Sequence, residues 1–187
     1  MLPGTLLASV FSVGVQSVIP SMLKENYHAI SASVASFLNA FPLIAGLVGK
    51  TLMLFVYRKK MRDESIVMTV CMASLLFPIG VMCFMGKVSV WVILIMACLI
   101  LLISNASNIA YASYLPMRFA KVGKPATVSG IINSTASLGI VMASFISPLV
   151  ADNFGWDYVI YLWILFAFCA SLLFFMSFFF WRKFIKQ

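Results

Sequence analysis

Apolar residues fall in six long runs along this chain, each separated from the next by a short polar link. The runs cover about residues 2–23, 31–57, 65–85, 88–115, 126–150 and 157–181. Each holds ~20 residues or more, enough for a helix rising 1.5 Å per residue to cross ~30 Å of hydrocarbon. A backbone in lipid has no water to bond, and a helix satisfies its own N–H and C=O groups. The expected fold is therefore all-α, a polytopic membrane protein with a single six-helix domain over residues 1–187. The first run is expected to end at Pro20 and the polar Lys24, Glu25 and Asn26. Gly86-Lys87 reads as a tight hairpin between the third and fourth runs, and residues 151–156 as the loop between the fifth and sixth. Links this short leave no room for an extramembrane domain.

Polar residues inside the runs follow helical spacing. Thr5, Ser9, Ser12 and Gln16 step i, i+4, i+7, i+11 along the first, which puts them on one face. Ser36, Asn39, Pro42, Gly46 and Lys50 crowd a face of the second, with Asn39 and Lys50 about three turns apart. Ser104, Asn105, Ser107 and Asn108 interrupt the fourth, followed by Tyr111 and Tyr114. In the fifth, Ser129, Asn133 and Ser137 share a face, with Gly130 and Ser134 beside them. An amide turned toward lipid tails loses its hydrogen bonds, so these faces are expected to meet protein or water.

Two readings compete for the stripes. Small and hydroxyl residues let membrane helices approach and bond across the contact; amides also line water-filled paths. For Gln16, Asn39, Asn105, Asn108 and Asn133 both readings stand. The third and sixth runs carry no polar stripe. The phenylalanines of the sixth (Phe166, Phe168, Phe174, Phe175, Phe178, Phe179 and Phe180) predict a lipid-facing helix. Four polar helices and two apolar ones suggest a half-bundle around a water-filled path, with Ser9, Ser12, Gln16, Asn39, Lys50, Asn105, Asn108 and Asn133 as pathway candidates. Lys50 is the ionisable residue well inside a run, a functional candidate by default. It either snorkels toward Arg58, eight residues on, or takes an anion or an interhelical partner.

Composition narrows the class. Hydrophobic residues make up 63% of the chain and charged ones 10%, with a mean hydropathy of +1.07, unlike any soluble domain. The net charge of +8 sits in the links. Arg58, Lys59, Lys60, Arg62, Arg118, Lys121, Lys124, Arg182, Lys183 and Lys186 fall on one side and only Lys24 and Lys87 on the other. The positive-inside rule then places both termini in the cytoplasm of a cell (plasma or inner) membrane, as an even number of spans requires. Such spacing is a topology signal rather than a nucleic-acid-binding face. Cys71, Cys83, Cys98 and Cys169 lie in apolar runs, without metal-ligand or disulfide spacing. The lone His28 is in a link, and Glu25, Asp63, Glu64, Asp152 and Asp157 lie in links or at run ends. No pair of acids lies within the apolar runs and no phosphate-binding loop is present, so no enzyme, catalytic residue, metal or cofactor is expected.

Three stretches resemble the second half of a major facilitator superfamily transporter. Gly14, Gln16, Pro20, Leu23 and Glu25 resemble the first helix of that half in the organophosphate/phosphate antiporter (glycerol-3-phosphate transporter-like) branch, with Val18 where tryptophan is usual. Gly130, Asn133, Leu138 and Gly139 resemble the glycine and asparagine signature of the family's eleventh helix, and Gly155-Trp156 matches the approach to the last helix. Ser12 stands where the branch carries a phosphate-binding arginine, and the loop from Tyr57 to Glu64 is a degenerate form of the family's basic loop. The resemblance implies secondary active transport of a small solute by alternating access around a midplane site. It implies as partners the bilayer, a small-molecule solute, and either a separate six-span N-terminal half or a second copy of this chain. The alternative is a six-span assembly or scaffold subunit that transports nothing.

Overall fold

The computed structural model describes residues 1–27, 30–60 and 63–185. His28, Arg62 and Lys186, used above, lie outside the described residues. Among those described there is no strand, and six helices are long and apolar enough to cross a membrane. They are α1 (Leu2–Asn26), α2 (Ala32–Val56), α3 (Glu64–Met82), α4 (Val90–Val122), α5 (Pro125–Phe154) and α6 (Trp156–Trp181). This is the expected all-α membrane architecture.

Proline shapes these helices more than it ends them. A proline withholds the N–H owed to the carbonyl four residues back and crowds that carbonyl. Pro42 lies just beyond a break in α2 at Asn39, and Pro78 just beyond one in α3 at Leu75. Pro116 follows a widened π-turn over Ala110–Tyr114 in α4, where the Leu115 N–H bonds back to Ala110. Pro20, expected to end α1, is carried inside a helix that runs on to Asn26, and Pro148 is likewise inside α5. Two links also differ from expectation. The third and fourth helices are joined by a turn spanning residues 83–89, with Gly86 at φ +82°. The stretch expected as a loop over 151–156 is helical to Phe154, leaving Gly155 (φ +92°) as the corner. In both, a glycine adopts a backbone angle that L-residues avoid.

Helix α1 is the centre, with 56% of its most apolar stretch buried, and Phe11, Val15, Ile19 and Met22 fully inside. It lies along α5 and α6; α2 lies along α4, and α3 along α6. Membrane helices approach this closely where side chains are small. A Cβ on Gly139 would sit 2.6 Å from the Leu6 carbonyl oxygen of α1, and one on Gly14 2.9 Å from Ser147 Oγ of α5. A Cβ on Gly49 would run into the Leu102 carbonyl of α4.

Burial within the bundle does not follow the division into polar and apolar helices. The buried share is 44% in α3 and 33% in α6, against 28% in α2 and 17% in α5. The polar helices α2 and α5 are the least covered, because polarity of a face says that it avoids lipid, not which neighbour it meets. On α6 the expected lipid surface holds for Phe168, Phe175, Phe179 and Phe180, which are exposed. Phe174 instead lies fully buried against Gly4 of α1, in one stripe with Trp163, Ala167 and Ala170.

Candidate functional site

The polar stripe of α1 divides into a sealed part and an open part. Thr5 is fully buried and donates its hydroxyl to the Leu2 carbonyl of its own helix (2.8 Å). Ser9 and Ser12 face α4. Ser9 Oγ lies 3.3 Å from the Tyr111 hydroxyl, which also accepts from Asn108 Nδ2 at 2.8 Å. Ser12 Oγ pairs with Ser104 Oγ at 3.0 Å, and Ser107 donates to the Ser104 carbonyl at 2.8 Å. Tyr111 belongs to the π-turn and is 2% exposed. Ser9, Ser12 and Asn108 thus join a hydrogen-bonded seam between α1 and α4, with Ser9 buried and Ser12 and Asn108 half-buried.

One helical turn beyond Ser12 the stripe opens. Gln16 is exposed and lines a cleft of about 250 Å³ together with Lys50 of α2 and Asn105 of α4. Gly46, Leu43, Leu47 and Leu101 complete the walls. Gly46 is small enough for Asn105 to lie against it, since a Cβ there would come within 2.8 Å of Asn105 Nδ2. Asn105 Nδ2 donates to the Leu101 carbonyl at 2.9 Å. Lys50 makes no ion pair or hydrogen bond among the described residues. Pro20 has no N–H to offer the Gln16 carbonyl, so α1 is polar in both side chain and backbone at this level.

Two candidates lie elsewhere. Asn39 sits at the break in α2, with its Oδ1 buried and unpartnered, and is not among the cleft residues. Its backbone stays helical across the break, the Asn39 N–H bonding to Ala35 and the Leu43 N–H to Asn39, but Asn39 lies outside the cleft that Lys50 lines. Asn133 lies in an open groove of about 490 Å³ on α5, with Ser134, Ser137, Leu138 and Val141. This face points away from the Gly139 contact with α1. Gly130, on the same face, has nothing within 4 Å of a built Cβ. Close packing therefore belongs to Gly139, and Gly130 lies in the open.

Sequence reasoning missed Glu64. Taken for a link residue, it opens α3 with its side chain fully buried. Arg118 Nε of α4 lies 2.7 Å from its Oε1, and Trp181 Nε1 of α6 donates to its Oε2 at 3.0 Å. Phe119 packs on Trp181 with ring centroids 5.9 Å apart. One carboxylate thereby ties the ends of three helices. The signal available was an acid at the first turn of an apolar run, with an arginine closing another. At the opposite end Trp156 Nε1 donates to Glu25 Oε2 at 2.7 Å, holding α6 to α1. Among the described residues no three His, Cys, Asp or Glu side chains group to hold a metal ion.

The chain resembles known transporters only in part. Sugar phosphate exchanger 3 of Mus musculus and of Bos taurus each share 40% identity with it over 47 residues, a quarter (25%) of this chain. The aligned stretch spans 10% of the length of either relative. No family model matches the chain, and no solved structure does.

Proposed function

We propose that the six helices form one half of a major-facilitator-type transporter of the organophosphate/phosphate antiporter branch, corresponding to its second half. It exchanges a small anionic solute by alternating access. The convergence of Gln16, Lys50 and Asn105 on one cleft at membrane depth carries this reading. An ammonium group in low-dielectric surroundings with no counter-charge is costly, and it lowers that cost by taking an anion. Ser12 occupies the place of the branch's arginine, and Lys50 supplies a cation from the neighbouring helix instead. Gln16 and Asn105 add amide groups that fix the orientation of a bound oxyanion. The partial likeness to exchangers named for sugar phosphates supports a phosphorylated solute.

The chemistry favours exchange over one-way release. With an anion bound, Lys50 is neutralised and the cleft can close; closing an emptied, water-filled cleft would strand the charge in a dry interior. The bundle changes face only when reloaded. The poorly covered faces of α2 and α5 are the surfaces for a second six-helix bundle, against which this one rocks. That bundle belongs to a separate chain, to more of the same chain, or to a second copy.

Purification from native membranes, followed by phosphate exchange in proteoliposomes, tests the proposal. Exchange of labelled phosphate for a sugar phosphate should survive Lys50→Arg and be lost in Lys50→Met. A chain that assembles with a partner yet exchanges nothing is a structural subunit, and the proposal fails.

A further inference from the structure

We infer that the groove between the start of α1, the end of α4, the start of α5 and the end of α6 holds an acyl chain of an anionic phospholipid, whose headgroup rests on Lys121 and Lys124. The groove has a volume of about 540 Å³, within the range that holds an organic ligand. Apart from the amino group of Met1, its walls offer a polar molecule nothing. The two hydroxyls on its lining, Thr5 and Ser177, are already donated to their own helices, at 2.8 Å to the Leu2 carbonyl and 2.7 Å to the Leu173 carbonyl. The remaining walls are apolar, and Leu2, Ile131 and Phe180 among them are 42%, 48% and 78% exposed. An apolar groove with apolar exposed walls, in a protein that crosses a bilayer, opens to lipid tails.

Charge at one end selects the headgroup. Phe119 and Val128 are both wall residues, and the chain between them carries Lys121 and Lys124. A 3-10 turn over Phe119–Val122 and the left-handed Gly123 (φ +69°) fold that chain back. The Lys124 N–H then bonds to the Phe119 carbonyl at 3.2 Å, and the Lys124 carbonyl accepts from the Val128 N–H at 3.2 Å. Lys124 is thus pinned between two walls of the groove, with Lys121 one short turn away. Both lysines are exposed, and neither has an ion-pair or hydrogen-bond partner among the described residues. Basic residues bordering an apolar cleft at the membrane surface attract anionic lipid headgroups. The groove is also lined by Trp181 and Phe119, the ring pair beside Glu64 and Arg118. An acyl chain lodged there braces the point where α3, α4 and α6 are tied. None of this depends on whether the bundle transports.

The test is photolabelling of the full chain in phosphatidylcholine vesicles doped with a trace of phosphatidylglycerol carrying a diazirine in its acyl chain. Parallel vesicles carry phosphatidylcholine with the same photoreactive chain. Labelled residues are mapped by mass spectrometry and normalised to lipid-facing Phe77 of α3 (71% exposed). Phosphatidylglycerol should label Leu2, Val128, Ile131 or Phe180 above phosphatidylcholine. The preference should fall about fivefold for each of Lys121→Gln and Lys124→Gln, and Val128→Trp should block labelling by both lipids. Should Val128→Trp fail to fold, the two lysine variants, on an exposed turn, still decide. Equal labelling by the two lipids, a preference unmoved by the lysine variants, or groove labelling no stronger than at Phe77 overturns the inference.

Discussion

Gly49 and Gly130 both lie inside helices, yet replacing each with alanine should change stability in opposite directions. At Gly49 a Cβ would enter the Leu102 carbonyl, with the carbonyl carbon at 2.8 Å and Cα at 2.9 Å. These are backbone atoms and cannot rotate aside. Restoring ordinary contact with the carbonyl oxygen requires α2 and α4 to part by more than about 1 Å, and a gap of even roughly 0.5–1 Å forfeits a quarter to a half of each dispersion contact it opens. Overpacking of this kind costs about 1–3 kcal/mol, and a backbone collision belongs at the upper end. Alanine returns about 1 kcal/mol through helix propensity, leaving a net loss of about 2 kcal/mol. At Gly130 a Cβ meets nothing within 4 Å, so only the propensity gain of about 1 kcal/mol remains. For a chain this long, Gly49→Ala should lower Tm by about 4–8 °C and Gly130→Ala should raise it by about 2–4 °C. Thermal unfolding in detergent can be followed with a fluorogenic maleimide, because Cys71, Cys83, Cys98 and Cys169 are free and partly buried. Shifts of the same sign, or no shift for Gly49→Ala, would refute the packing of α2 on α4.

Two further outcomes use the same assay. Glu64→Ala should cost about 2–3 kcal/mol, below the ~3–5 kcal/mol usual for breaking a buried pair, because Arg118 is 35% exposed and can turn to water; an unchanged Tm would mean that the tie between α3, α4 and α6 carries no stability. Tyr111→Phe should cost about 1–3 kcal/mol, since Ser9 and Asn108 both lose a buried partner, and a neutral result would remove the seam between α1 and α4.

The six helices could be read directly from hydropathy, because a bilayer forces each long apolar run to be a helix. Their internal breaks were less legible. Pro42, Pro78 and Pro116 stand beside breaks while Pro20 and Pro148 do not, and only the packed neighbours decide which helix can absorb the lost bond. Seven-residue spacing placed Ser9 and Gln16 on one face, but it held no information on what α4 would set against each. Tyr111 closed off Ser9, and Gln16 stayed open. The stripe on α5 was expected to meet protein or water, and none of the other five helices covers the groove that Asn133, Ser134 and Ser137 line. Glu64 escaped because a carboxylate at a run's edge looks solvated, and its burial depends on Arg118 and Trp181, 54 and 117 residues away.

The central claim is that Gln16, Lys50 and Asn105 line a water-filled path for an anion. Its most direct measurement is thiol accessibility in a chain whose four native cysteines are replaced by alanine. Gln16→Cys and Asn105→Cys should react with a charged methanethiosulfonate reagent, while Ser9→Cys, in the buried seam, should not. A sugar phosphate should slow both reactions, and Lys50→Met should abolish that protection. Inert cysteines at positions 16 and 105, or reaction that no anion slows, would contradict the account.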